Sequence, residues 1–258
     1  MIAEFSLLLI CGMSLMWCMM PRAQVTAGFF RIQMLIVIGL SALGLLTMGQ
    51  LTATAGQPLS PAGLMYARIA LGIALVSAYA GSIFWLLGRR RPGTIAMICV
   101  MAATLVSLIS SRGGVNSLMT AAGALRFLSS FATAAVLGST VTGMLLGHWY
   151  LTAPTMSIQP LRTLSWFLVG AVLLRLSVSV VGWMSAGEQL HGGTQWTWFA
   201  LRWLAGILGP LVISVLALRI LRYRNTQAAT GVLFAGVILV FIGEMSAALL
   251  YSELRVPF

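Results

Sequence analysis

The chain has 258 residues, 60% of them hydrophobic and 7% charged, with a mean hydropathy of +1.00, which places it outside the soluble globular class. It holds no lysine and no aspartate, so its formal net charge of +11 comes from 15 arginines against 4 glutamates. The missing lysine excludes a retinal Schiff base and a lysine nucleophile, and the missing aspartate argues against a carboxylate-based ion pump or multi-site cation transporter.

A membrane-spanning helix needs roughly 20 mostly apolar residues. Eight such runs are predicted, near 1–20, 28–50, 62–88, 94–111, 123–152, 160–185, 195–222 and 228–252. The first opens Met1-Ile2-Ala3-Glu4, with no basic region before it and no small-residue cleavage site after it, so it reads as a retained helix ended by Pro21-Arg22. Spans two and three are joined by the uncharged loop 51–61, and spans four and five by the polar, glycine-containing loop 112–122. Span five carries Gly138, Ser139, Thr142, Gly143 and Gly147, small residues that let neighbouring backbones approach in lipid, which predicts a central position. Trp149 and Tyr150 mark its end, while Trp183, Trp196 and Trp198 flank the loop 186–195 between spans six and seven; these are places where interfacial aromatics gather. Gly206, Gly209 and Pro210 predict a kink in span seven. The expected fold is all-α, a polytopic transmembrane bundle over residues 1–258 as a single integral membrane domain. Eight spans also divide into two four-helix sets of like orientation, although no residue-level repeat is visible.

Orientation follows from the arginines. Arg22 and Arg31 lie at the first junction, Arg89, Arg90 and Arg91 at the third, Arg162 at the fifth, and Arg219, Arg222 and Arg224 at the seventh. The opposite side has Arg112 and Arg255 in its loops and tail. Basic residues favour the cytoplasmic side, so both termini are expected outside, in a bacterial cytoplasmic (inner) membrane. Topology and anionic lipid headgroups account for these arginines, and no aromatic-basic surface is available for base stacking, so nucleic acid is not an expected partner.

The remaining charges carry the functional signal. Arg68, Arg126, Arg175, Arg202, Glu4 and Glu244 fall inside or at the rims of the spans, and the predicted topology puts all six in the outer half of the bilayer. A charge in hydrocarbon costs from about 2.5 kcal/mol upward, so such residues face a bundle interior, a partner or a wet cavity. For Arg68, Arg126, Arg202 and Glu4 the simpler reading is a side chain reaching the headgroups. Arg175 and Glu244 are too deep for that and lie at similar depths, which predicts either a structural ion pair or part of a polar pocket. Such a pocket, lined by Arg175, Glu244, Arg202, Arg68 and Arg126, suits a quinone or another polar-headed lipophile, with arginine and glutamate hydrogen-bonding the quinone oxygens and relaying protons.

No HExxH, GxSxG or P-loop pattern occurs. Cys11, Cys18 and Cys99 all lie in spans, without zinc or haem-attachment spacing, and are expected as buried small hydrophobes. His148 ends span five and His191 lies in the loop on the opposite side, so the two cannot jointly ligate one haem. His148 alone, with a methionine opposite, leaves a haem or a partner contact open beside simple interfacial hydrogen bonding.

Eight spans, external termini, short loops and a final helix with Gly243-Glu244 and Tyr251 two turns later make the chain similar to the eight-helix membrane anchors of the dimethyl-sulfoxide-reductase and polysulfide-reductase (NrfD-like) class. That resemblance implies an anchor that binds quinol near the outer face and passes electrons to an iron–sulfur partner. The expected function is a non-catalytic membrane subunit of a respiratory or electron-transfer complex. A transporter or channel for a small anionic solute, and a purely structural scaffold, are the competing readings.

Overall fold

A computed structural model describes residues 2–50, 60–153, 155–186 and 192–254. Among these residues the chain is helical with no strand. The long helices are α1 (Ile2–Met19), α2 (Ala27–Thr47), α3 (Pro61–Leu86), α4 (Arg90–Ser111), α6 (Ala121–Thr152), α7 (Gln159–Ala186) and α10 (Thr226–Leu254). The short helix α5 (Gly114–Leu118) precedes α6, and the seventh span is built from α8 (Gly193–Trp203), one π-turn (Leu204–Leu208) and α9 (Gly209–Arg222). Eight helical spans are long and apolar enough to cross a membrane. The chain is an integral membrane protein.

The spans begin and end close to their predicted bounds, and local chemistry sets the differences. Ser60 caps α3, its hydroxyl accepting from the Gly63 amide at 3.1 Å, and Pro61 takes the first helical position, where no N–H is missed. The segment 112–122, expected as a loop, holds α5; Gly113 and Gly114 adopt φ of +95° and +75°, which glycine alone does without strain, and turn the chain into it.

The chain divides into two compact units, Met1–Phe127 and Leu128–Phe258, with the boundary inside α6. In the first, α1 packs on α2, α2 on α3, α3 on α4 and α4 on α1, closing a ring of four spans. Trp17, Phe30, Met34 and Leu71 fill it, with Phe30 against Trp85 at a centroid distance of 4.6 Å. Trp85 in turn lies over Gly93, where a Cβ would come within 2.8 Å of its ring. Small polar groups tie the helices: the Ser107 hydroxyl donates to the Ala67 carbonyl at 3.0 Å, and Ser14 and Thr104 meet at 3.5 Å. Ile69, Ile73, Val76 and Ile83 of α3 stay exposed, as lipid requires of an outer face. At one end of the ring Glu4 accepts from Arg112, joining the start of α1 to the end of α4.

In the second unit α9 packs on α7 and α10, α8 packs on α10, and hydrogen bonds join α6 to both α7 and α10. α6 is the most buried of the eight spans, as its small residues predicted. A Cβ on Gly147 would meet Thr230 Cα at 3.3 Å, so the Gly143–Gly147 spacing does mark a close approach, here to α10. Trp166 and Trp183, 58% and 48% exposed, stand seventeen residues apart on α7, about 25 Å along the axis, which brackets most of a hydrocarbon core about 30 Å thick. Arg175 lies midway between them.

Two aromatic side chains have partners that the sequence does not show, and two cysteines differ from expectation. Tyr150 is buried and its hydroxyl donates to the Ser157 carbonyl, so it pins the chain after α6. Trp198 is only half-exposed, packed on Leu250. Cys99 is exposed on the lipid-facing side of α4 and Cys18 is half-buried; Cys11 alone is fully buried. All three are free thiols. Most of the loop 51–61, part of the loop 186–195 with His191, and Arg255 lie outside the described residues.

Candidate functional site

The second unit holds a charged centre built from four helices. Glu244 on α10 accepts from Arg175 of α7 in two-pronged fashion, Nε to Oε1 and Nη2 to Oε2, both at 3.2 Å. It also accepts from Arg202 of α8, Nη1 to Oε1 at 2.8 Å, and from the Thr133 hydroxyl of α6 at 2.9 Å. The outer edges of the two guanidiniums are taken by serines: Arg175 Nη1 donates to Ser129 at 3.1 Å and Arg202 Nη2 to Ser179 at 3.1 Å. All three charged residues are buried, with exposures of 3% for Arg175, 0% for Arg202 and 7% for Glu244.

Helix geometry explains why these residues meet. Ser129 and Thr133 are four apart on α6, and Arg175 and Ser179 are four apart on α7, so each pair shares one face. With α8, the π-turn and α9 taken as one span, Arg202, Glu244 and Arg175 lie nine, ten and eleven residues from the nearer end of their spans, about 14–16 Å of axial rise. An arginine side chain cannot bridge that depth, so Arg202 is held inside the unit and does not reach the headgroups, contrary to the simpler sequence reading.

Close packing brings α10 to α8. A Cβ on Gly206, in the π-turn, would come within 2.9 Å of Gly243 Cα and 2.8 Å of Arg202 Nη1. Only two glycines allow this crossing, and Gly243 directly precedes Glu244, so the contact fixes the carboxylate against Arg202. The interruption predicted at Gly206, Gly209 and Pro210 is this π-turn, followed by Pro210 in the first turn of α9.

Of the residues singled out by sequence, the structure joins Arg175, Glu244 and Arg202. Arg126 is half-buried on α6, one turn before Ser129. Arg68 belongs to the first unit, exposed on α3, with its Nη2 3.6 Å from where a Cβ on Gly49 would lie. His148 is exposed near the far end of α6. Among the described residues no group of three or more His, Cys, Asp or Glu side chains is arranged to hold a metal ion. The hydroxyls Ser129, Thr133 and Ser179 were not singled out, and Gly206 and Gly243, each noted for another reason, were not paired; the four-residue spacing of Ser179 from Arg175 was the one available signal.

No protein-family model, curated protein or solved structure matches this chain.

Its chemistry therefore rests on the centre itself. Two guanidiniums face one carboxylate, so the centre carries at least one net positive charge whichever protonation state Glu244 takes. Such a site is rich in donors and poor in acceptors. It can hold a group that accepts hydrogen bonds, and it ties α6, α7, α8 and α10 together whether or not anything is bound.

Proposed function

We propose that this protein is a membrane subunit of a larger electron-transfer assembly, anchoring extrinsic or membrane redox subunits in a bacterial cytoplasmic membrane with both termini outside. On this reading the Arg175–Glu244–Arg202 centre holds the polar head of a quinone in the outer half of the bilayer. The observation that supports it is the surplus of hydrogen-bond donors buried near mid-span, where a quinone's carbonyl oxygens are acceptors in need of partners. The likeness to NrfD-like anchors points the same way through the last helix, where Gly243-Glu244 stands in the crossing that builds the centre. Purification from native membranes in mild detergent tests the reading: iron–sulfur or haem subunits should accompany the chain, and solvent extraction should recover quinone. A chain that purifies alone and without quinone overturns it.

The net positive charge favours a second reading, passage of a small anionic solute. Reconstituted liposomes separate the two, because only this second reading predicts anion flux by the chain alone.

A further inference from the structure

The carboxylate at the centre is saturated. Its two oxygens offer about four lone-pair sites, and four donors occupy them: Arg175 Nε, Arg175 Nη2, Arg202 Nη1 and Thr133 Oγ1. The Nε–H of Arg202, wholly buried, has no acceptor among the described residues. Among the described residues of the second unit the one other acid is Glu253, which is exposed and accepts from Gln195 at 2.7 Å near the ends of its helices. Two features thus point to one missing kind of partner. Arg202 has a buried N–H without an acceptor, and the centre holds one positive charge more than Glu244, shared by Arg175 and Arg202, can balance; an acceptor that is itself negative relieves both. The depth narrows its nature further. On the quinone reading an occupant reaches the centre through hydrocarbon, which strongly disfavours a small hydrated ion and favours a ring whose charge is delocalised.

We infer that Arg202 binds the ionised oxygen of a membrane-soluble ring anion, of the hydroxyquinone class, in preference to a neutral quinone carbonyl; this rests on the quinone reading of the same centre. A protonated ring hydroxyl needs an acceptor, and Glu244 has none to give. An ionised oxygen only accepts, which is what Arg202 requires. Ser179 accepts from Nη2 and leaves the Nε–H to the ligand.

The test uses the full chain in lipid nanodiscs and two probes that share one ring: an alkyl-substituted 2-hydroxy-1,4-naphthoquinone, ionised at neutral pH, and its neutral 2-methoxy ether. The ionised probe should bind roughly tenfold tighter, the difference expected between a charge-assisted and a neutral hydrogen bond. Arg202→Gln should abolish that preference while leaving the neutral Arg175–Glu244 pair, and thus the fold, in place. Acidifying until the hydroxyl is protonated should abolish it in the unaltered protein, a measurement that needs no variant. Equal binding of both probes at neutral pH overturns this inference and leaves the quinone reading standing. Binding of neither overturns both. A preference that survives in a folded Arg202→Gln protein shows that another group makes the contact.

Discussion

The two units solve the same problem, four apolar helices in lipid, with their charges in opposite places. The first keeps its ion pair at the rim: Glu4 and Arg112 join helix ends, with side chains 38% and 15% exposed, and the interior is closed by Trp17, Phe30, Trp85 and small polar contacts. The second sinks two arginines and a glutamate to mid-span and closes around them. A rim pair is screened and worth little, whereas a buried one is expensive to break because the partner left behind has no water to turn to. The first unit therefore reads as scaffold, and the second as scaffold with a chemically committed interior.

That contrast can be broken most directly at the two glutamates. Glu244→Gln leaves two guanidiniums facing a neutral amide, and thermal unfolding in detergent should show a loss of about 3–5 kcal/mol or no folded protein at all. Arg202→Gln should be clearly milder, because it removes the surplus charge and keeps a neutral pair; an equal loss would mean that packing, not charge, holds the centre. Gly206→Ala forces a methyl against Gly243 and Arg202 and should cost about 1–3 kcal/mol in the same assay, while Gly72→Ala in the first unit, with nothing within 4 Å of the new methyl, should be neutral or mildly stabilising. Ser129→Ala and Thr133→Ala each remove one hydrogen bond to the charged centre and should cost about 1 kcal/mol. The smallest effect belongs to Glu4→Gln, at about 0–1 kcal/mol. A loss at Glu4 as large as at Glu244 would erase the distinction between the units.

The eight spans were legible because length and apolarity are local properties, and the residues that end them, such as Ser60-Pro61, act locally as well. The pairing of Arg175 with Glu244 was legible from depth alone. Membrane helices are apolar on every face, so no polar stripe announces which side meets a neighbour. That is why Arg202 read as a headgroup-seeking side chain. It is also why Cys99 could not be told from Cys11. The serines and the threonine around the centre are as common in spans as any small residue, and nothing in the sequence separates Ser129 from Ser130. Gly243 was noticed for its neighbour, while its own role, letting α10 touch the π-turn, depends on a helix forty residues away.

The π-turn has a consequence for angular phase. Along the seventh span the fully buried positions Arg202, Gly206, Pro210 and Ser214 recur at every fourth residue. In an unbroken α-helix, at about 100° per residue, three such steps rotate the last position some 120° away from the first. One extra residue wound into Leu204–Leu208 takes up about 100° of that drift. The turn works as a clutch between two rigid rods: it lets the lower rod keep Pro210 and Ser214 inward while the upper rod still aims Arg202 at the carboxylate.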